Sequence, residues 1–156
     1  MINILPSIEV PVIKKGITSK VNLSNELKGK KIIIFGVPGA FTPTCSEKHM
    51  PSYIKLHEQF IAKGFTDIYC LSVNDSFVMS AWLLSYSHGE KIIGIADGNG
   101  EIAKKLGLLT YKSSNFMGMR STRFAMIVNN NLINKLFIEE PGEYKNSSAE
   151  NLLQNL

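Results

Sequence analysis

The chain contains two cysteines, Cys45 and Cys70, and these thiols are its strongest candidates for chemistry. They do not form a C-x-x-C pair, and two cysteines are too few for the disulfide framework of a small secreted protein. This usage is typical of a reducing compartment, where a cysteine at the start of a helix is a candidate nucleophile. The two thiols differ in their surroundings, and that difference decides which one is placed to react.

Cys45 stands where a buried strand gives way to a helix. A continuous β-branched run, Lys31–Val37, predicts a strand covered on both faces, and the turn-rich loop PGAFTPT follows it at residues 38–44. A helix is predicted to begin at Cys45, so the thiol meets free backbone N–H groups and the positive end of the helix dipole, which both favour a thiolate. The same N–H groups can hold an oxygen that becomes negative during a reaction.

A buried structural cysteine is the alternative for Cys45, because free cysteine often behaves as a small hydrophobic residue. The sequence favours the reactive interpretation, since the neighbours of Cys45 are polar or turn-forming, unlike those of a core residue: Thr42, Pro43, Thr44, Ser46 and Glu47. Cys70 lies within the apolar run DIYCLSV, residues 67–73, where a buried structural thiol is the default. Cys45 is therefore the candidate nucleophile.

The elements that must position Cys45 are those of an α/β domain. A weakly alternating stretch at residues 10–23 predicts an N-terminal hairpin, and Asn129-Asn130-Asn131 separates the strands of a second hairpin. Further strands are predicted at residues 31–37, 67–73, 92–96, 123–128 and 132–138, and helices at 45–63, 76–87, 101–106 and 149–156. Pro51 should kink or shorten the helix after Cys45. We expect one domain over residues 1–156, a three-layer α/β/α sandwich with a central mixed sheet, which is compatible with a thioredoxin-like fold.

Composition and charge exclude several other classes of protein. Hydrophobic residues make up 44% and charged residues 19% of the chain, as in an ordinary soluble globular protein, and no apolar run is long enough to span a membrane. The net charge of +4 comes from scattered lysine pairs at positions 14–15, 30–31 and 104–105, which indicate a solvated surface with no nucleic-acid partner. The first residues lack a secretory signal, so we expect a cytoplasmic protein, or an organellar one if a transit peptide has been removed.

The loop before Cys45 carries a family resemblance. Pro38, Thr42 and Cys45 match the pattern P-x-x-x-T-x-x-C, and the longer stretch GVPGAFTPTCSEKHMP covers residues 36–51. The chain resembles the peroxiredoxins, in particular their type II/type V branch. Similar blocks follow in family order and span most of the chain: SVNDSFVM at residues 72–79, ADG at 96–98, RSTRFAM at 120–126 and SSAE at 147–150.

The resemblance implies a thioredoxin-like fold and a thiol-dependent peroxidase that acts on hydrogen peroxide and alkyl hydroperoxides. Cys45 would attack one peroxide oxygen and become a sulfenic acid. Thr42 would hydrogen-bond the thiolate and the bound peroxide, Thr44 would contact the substrate, and Pro38 would shield the thiolate from water. Arg123 would stabilise both the thiolate and the charge that grows on oxygen, although without the family it would be interpreted as an exposed residue at the start of a strand.

Two nearby residues keep alternatives open. Arg120 either assists Arg123 or forms a surface salt bridge. His49 follows Cys45 by four residues, on the same face of a regular helix, so a Cys–His catalytic pair is conceivable. Because the family assigns the activating charge to an arginine, we interpret His49 as a structural residue or a minor, supporting one.

The reductant is the remaining question. Cys70 is either a structural thiol or a resolving cysteine that forms a disulfide with Cys45, and no cysteine follows Cys70 to take the resolving role of some type V members. We predict one-cysteine turnover, with the sulfenic acid reduced by an external thiol such as glutathione, glutaredoxin or thioredoxin. The resemblance also implies a homodimer. No cofactor is required, because sulfur carries the chemistry, and the spacing of the cysteines and histidines matches no metal-binding motif: Cys45, Cys70, His49, His57 and His88.

Overall fold

Residues 3–156 are described by the computed structural model, which contains nine strands and five α-helices in this part of the chain. The strands are β1 Glu9–Lys14, β2 Ile17–Asn22, β3 Lys31–Val37, β4 Asp67–Ser72, β5 Ile93–Ala96, β6 Leu109–Lys112, β7 Gly118–Ser121, β8 Phe124–Asn129 and β9 Leu132–Ile138. The helices are α1 Leu23–Glu26, α2 Met50–Ala62, α3 Ser76–Leu84, α4 Glu101–Lys105 and α5 Ala149–Gln154. None of the described helices is long and apolar enough to cross a membrane.

Seven strands form one mixed sheet in the order β2-β1-β5-β4-β3-β8-β9. β3, β4 and β5 are parallel, whereas β8 pairs with β3, and β1 with β5, in the antiparallel sense. β1 and β2 form the predicted N-terminal hairpin, and β8 and β9 form the second one. The predicted mixed sheet with an N-terminal hairpin is confirmed.

Helices cover both faces of this sheet, so the central strands are apolar on both sides. In β3, Ile33 and Phe35 face a core closed by α2, α3 and α5, while Ile32 and Ile34 face a second core closed by α1 and α4. This alternation explains the continuous β-branched sequence of β3, because a strand with one solvated face would carry polar residues at every second position. The three-layer α/β/α architecture is confirmed.

The helix after Cys45 differs from the expectation of a single α-helix over residues 45–63. Residues Cys45–His49 form a wide π-helical turn, and α2 begins only at Met50, whose N–H bonds to the carbonyl of Cys45. Pro51 lies at the start of α2 and has no N–H to continue a regular ladder, so the preceding turn is the part that widens. Single π turns of this kind are frequent at functional sites.

Two short strands, β6 and β7, were not predicted from the sequence. β6 and β7 form a separate two-stranded sheet, and their short, half-exposed sequences LTYK and GMRS carry no clear periodicity.

β8 begins at Phe124, not at Arg123, so Arg123 stands outside the sheet beside the end of β3. Gly36 permits the close approach here, since a Cβ at this position would lie 1.9 Å from Phe124 Cε1.

Candidate active site

The loop between β3 and the π-helical turn is held by hydrogen bonds at both ends. Ala40 N–H donates to Asn74 Oδ1 (3.0 Å), and the Thr42 hydroxyl donates to the carbonyl of Gly39 (2.7 Å). Ser46 N–H bonds to the carbonyl of Thr42 (2.9 Å), and helical backbone begins at Pro43. Cys45 therefore lies in the first turn of a helix, as the sequence predicts, where backbone N–H groups have no partners within the helix.

The Cys45 sulfur lies against a guanidinium. Arg123 Nη2 donates to Cys45 Sγ at 3.2 Å. A hydrogen bond from a cation favours a thiolate over a thiol, because the charged form of sulfur is the better acceptor. The geometry thus brings together Cys45 and Arg123, which lie 78 residues apart in a chain of 156 and which the family resemblance pairs.

The sequence predicts polar surroundings for Cys45, but the structure shows them only in part. Cys45 has no exposed surface and packs in the core formed with α2, α3 and α5, next to the side chains of β3. In one helical turn neighbouring side chains point in different directions, so the sulfur and His49 point inward while Pro43 and Glu47 are exposed. The thiol is thus a buried group with one charged partner.

His49 contacts the Arg123 guanidinium. It is not placed to act as a base toward the Cys45 sulfur. Arg123 Nη1 and His49 Nδ1 are 2.9 Å apart, and His49 Nε2 lies 3.0 Å from the carbonyl of Ser147. Arginine can only donate and a carbonyl can only accept, so Nδ1 is the acceptor and Nε2 carries the proton. Burial and the adjacent Arg123 charge lower the pKa of His49 from 6.5 to about 3, which keeps the ring neutral.

Two tyrosines complete the surroundings of His49, and sequence reasoning missed both. Tyr53 is buried and its hydroxyl donates to the same Ser147 carbonyl at 2.7 Å. The Tyr144 ring packs edge-on against His49 and lies 5.9 Å from the Arg123 guanidinium carbon. Tyr144 and Ser147 lie more than ninety residues from His49 in sequence, so no local pattern links them to it.

The segment after Cys45 is braced by α3. Trp82 Nε1 donates to the Ser46 hydroxyl oxygen (3.0 Å), and the Tyr86 hydroxyl donates to the Ser46 carbonyl (2.7 Å). Trp82 is fully buried and is the only tryptophan in the sequence. Its indole therefore reports on the residue next to Cys45.

Arg120 and Cys70 lie apart from the contact between sulfur and guanidinium. Arg120 donates to the carbonyls of Met117 (2.9 Å) and Val73 (3.5 Å), and it forms no salt bridge within residues 3–156. Cys70 is a fully buried free thiol in β4, and burial, together with the nearby Cys45, raises its pKa well above the ordinary value. The structure thus places Arg120 on loop carbonyls and Cys70 in the sheet.

A cleft of about 330 Å³ opens above the site. Three of the sequence-predicted residues line it, Pro38, Thr44 and Arg123, together with Thr122 and Glu139. Cys45 does not line this cleft, but Arg123 both lines the cleft and contacts the Cys45 sulfur.

Comparison with known proteins agrees with this architecture. The family model described as Redoxin matches residues 4–153. Over 137 residues the chain is 45% identical to peroxiredoxin-2C of Oryza sativa subsp. japonica, covering 88% of this chain and 85% of that protein. It is 43% identical over 136 residues to peroxiredoxin-2D of Arabidopsis thaliana, covering 87% of this chain and 84% of that one.

Solved structures give the same result. The reduced Prx3 of Vibrio vulnificus in complex with hydrogen peroxide superimposes with a TM-score of 0.90 at 40% identity, covering 97% of this chain and 92% of that one. The 1-Cys peroxiredoxin described as Plasmodium falciparum antioxidant protein has a TM-score of 0.90 at 34% identity, covering 98% and 97% of the two chains.

A thioredoxin-like sheet with a helix-borne cysteine held against an arginine defines a class, the thiol peroxidases. Within that class, the chain belongs to the Redoxin family and to the type II/type V branch of the peroxiredoxins. It is an enzyme that reduces hydroperoxides at the expense of a thiol. The resemblance stated from the residues around Cys45 is confirmed.

Proposed function

We propose that Cys45 is the nucleophile of this peroxidase. The observation that carries the proposal is the 3.2 Å contact between Arg123 Nη2 and Cys45 Sγ, in a site otherwise walled by core residues. The thiolate attacks the terminal oxygen of the hydroperoxide, an S–O bond forms as the O–O bond breaks, and the sulfur becomes a sulfenic acid. The departing oxygen takes a proton and leaves as water or an alcohol.

Thr42 and Arg123 align the peroxide for this attack. The Thr42 hydroxyl donates its proton to the carbonyl of Gly39, so in this arrangement it does not donate the hydrogen bond to the thiolate that the resemblance implies. Toward the substrate this hydroxyl can only accept, and it accepts the O–H of the peroxide. Arg123 donates to the thiolate before the attack and to the departing oxygen during it, where its charge is most useful. In-line placement of the reacting atoms is the main source of acceleration in such a step.

Pro38 and Thr44 line the approach to the sulfur, and two further residues support the arrangement. Pro38 excludes water from the thiolate and Thr44 contacts the bound substrate. His49 holds one nitrogen of the Arg123 guanidinium, which directs the other nitrogen to sulfur. Arg120 donates to the carbonyls of Met117 and Val73, and its guanidinium lies beside Gly39, where it supports the start of the loop.

The sulfenic acid is reduced by an external thiol in one-cysteine turnover. Cys70 is fully buried, and its raised pKa leaves it protonated and a poor attacker. The external thiolate attacks the sulfenic sulfur, which releases water and forms a mixed disulfide, and a second thiol frees Cys45. Glutathione, glutaredoxin and thioredoxin all supply this chemistry. Hydrogen peroxide and alkyl hydroperoxides are both substrates under this proposal.

The setting of the enzyme follows the sequence expectations. We propose a homodimer of single-domain subunits in the cytoplasm or an organelle. The family match over nearly the whole chain supports one domain, and large apolar side chains exposed near the site support self-association: Phe41, Phe116 and Met119. Mass measurement in solution against protein concentration tests the dimer.

Stopped-flow fluorescence of Trp82 tests the central proposal, because the indole contacts the residue beside Cys45. After mixing with one equivalent of hydrogen peroxide or tert-butyl hydroperoxide, we expect a rapid fluorescence change and the addition of one oxygen to Cys45 by mass spectrometry. Added glutathione should remove that oxygen. A reaction as slow as that of a free thiol, or oxygen on Cys70, would contradict the proposal.

A further inference from the structure

The segment between β9 and α5, residues 139–148, is organised by one buried carboxylate. Glu139 is only 3% exposed, and its Oε2 accepts hydrogen bonds from Lys145 N–H (2.7 Å), Ser147 N–H (2.8 Å) and the Ser147 hydroxyl (2.7 Å). The backbone N–H of Glu139 donates to the carbonyl of Arg123 at 3.0 Å. One residue thus fixes both this segment, which we call the Glu139 loop, and the backbone that carries Arg123.

The Glu139 loop leads back to the nucleophile through consecutive hydrogen bonds. Glu139 holds the N–H and the hydroxyl of Ser147. The carbonyl of the same Ser147 accepts a hydrogen bond from His49 Nε2 at 3.0 Å. His49 Nδ1 accepts from Arg123 Nη1 at 2.9 Å, and Arg123 Nη2 reaches Cys45 Sγ at 3.2 Å. Every link is within ordinary hydrogen-bonding range.

The cost of burying Glu139 indicates more than loop closure. Its other oxygen, Oε1, is buried without a partner among the described residues. Burial works to raise the pKa of Glu139, but the hydrogen bonds from Ser147 and Lys145 outweigh it and lower the pKa, so the side chain is a carboxylate. A buried carboxylate is costly unless it is hydrogen-bonded, and one oxygen of Glu139 gathers three hydrogen bonds from this segment.

We propose that Glu139 is a positioning residue for the peroxidase reaction, acting through Ser147 and His49 on the Arg123 guanidinium. The inference rests on the proposed function, since it takes Cys45 as the nucleophile. The carboxylate fixes the Ser147 carbonyl, that carbonyl fixes the proton of His49 on Nε2, and the bare Nδ1 pins one Arg123 nitrogen. The second nitrogen is then directed to sulfur. Release of the loop frees the guanidinium to turn away.

Glu139→Gln tests this proposal, because it keeps the size of the side chain but places an amide against three donors. We expect the second-order rate constant for hydrogen peroxide to fall on the order of tenfold at neutral pH, as a displaced guanidinium misaligns the reaction. The pH at which the rate is half-maximal should rise, because the thiolate loses its cation. Glu150→Gln is the matched control: Glu150 is exposed, does not line the cleft, and within residues 3–156 its side chain forms no hydrogen bond or ion pair. Its rate and pH profile should match wild type.

A second background separates positioning from general damage. In Arg123→Met, the Glu139→Gln change should have no further effect, because the group on which it acts is gone. An equal loss in both backgrounds, an unshifted pH profile, or an equal loss in Glu150→Gln would overturn the proposal. Ser147→Ala decides the case if Glu139→Gln does not fold, since it removes one of the three hydrogen bonds: a shift of its pH profile supports the proposal and a wild-type profile overturns it. Slow oxidation of wild type would instead defeat the proposed function itself.

Discussion

Cys45 and Cys70 are both fully buried and belong to the same core cluster, yet only one of them meets a charge. Arg123 reaches the sulfur of Cys45, whereas burial raises the pKa of Cys70 well above its ordinary value. Burial therefore does not separate a reactive cysteine from a structural one in this protein. What separates them is the hydrogen bond from the half-buried Arg123 guanidinium to the Cys45 sulfur.

The backbone around the two thiols differs in the same direction. Cys70 lies in β4 between β3 and β5, opposite Phe35 and Gly94, inside the hydrogen-bonded sheet. Cys45 lies in the first turn of a helix, where N–H groups remain free to meet a developing negative charge. The reactive thiol thus lies beside backbone N–H groups that have no hydrogen-bond partner within the helix.

Exchange of each thiol for a hydroxyl is the strongest way to break this comparison. We expect Cys45→Ser to lose peroxidase activity on the order of 10⁴-fold or more, because no other group replaces the nucleophile. Cys70→Ser should keep most of its activity with glutathione as reductant. Steady-state peroxide consumption at matched protein concentration measures both variants.

The outcome with Cys70→Ser also bears on turnover. The new hydroxyl would be buried among apolar core side chains, so the free energy of unfolding should drop by about 1–3 kcal/mol. The assays are therefore run well below the unfolding temperature of the variant. Loss of turnover as complete as in Cys45→Ser, in a folded variant, would make Cys70 a resolving cysteine and defeat one-cysteine turnover.

The two arginines near the site sharpen the comparison at the next level of effect. Arg123→Met should reduce the rate constant for peroxide by about 10³-fold, because it removes the only cation seen on the Cys45 sulfur in residues 3–156. Arg120→Met should reduce this rate constant clearly less, since Arg120 contacts the carbonyls of Met117 and Val73. Stopped-flow oxidation followed through Trp82 compares them. Equal losses would mean that net positive charge near the site, and not contact with sulfur, is what matters.

Thr42 supplies a smaller and more directional effect. Thr42→Val keeps the shape of the side chain but removes the hydroxyl, and we expect a loss of about 10²-fold in the rate constant for peroxide. Thr42→Ser keeps the hydroxyl that donates to Gly39 and should stay within a few-fold of wild type. A wild-type rate in Thr42→Val would remove this hydroxyl from the alignment of the peroxide.

Local sequence patterns predict the sheet and the position of Cys45 but not the network beneath it. The apolar run of β3 and the proline-rich loop after it are local patterns, and they place the thiol at the start of a helix. Arg123 came from the family pattern, because a lone arginine before a strand has no chemical signature. Glu139 and Ser147 reach His49 only through the tertiary fold. Their spacing in sequence carries no period that predicts the contact.

The protonation of His49 gives the smallest expected effect. It tests the polar contacts around Cys45, which Cys70 lacks. Burial and Arg123 lower the pKa of His49 from 6.5 to about 3 in the folded protein. The unfolded chain therefore binds more protons between these values, so this contribution to stability is complete above pH 6.5 and is lost as the pH falls toward 3. Between pH 6.5 and pH 5 the free energy of unfolding should decrease by about 1.6 kcal/mol from this group.

Urea unfolding at several pH values, followed by Trp82 fluorescence, measures this decrease. His49→Gln should flatten the dependence on pH, because a neutral amide replaces the ring that the unfolded chain protonates. Cys70→Ala is the matched control from the apolar side: it alters the same core, but its thiol is protonated throughout this range, so the slope should stay that of wild type. An equal slope in wild type and His49→Gln would mean that the proton is taken up elsewhere, and that His49 does not meet Arg123 as a neutral acceptor.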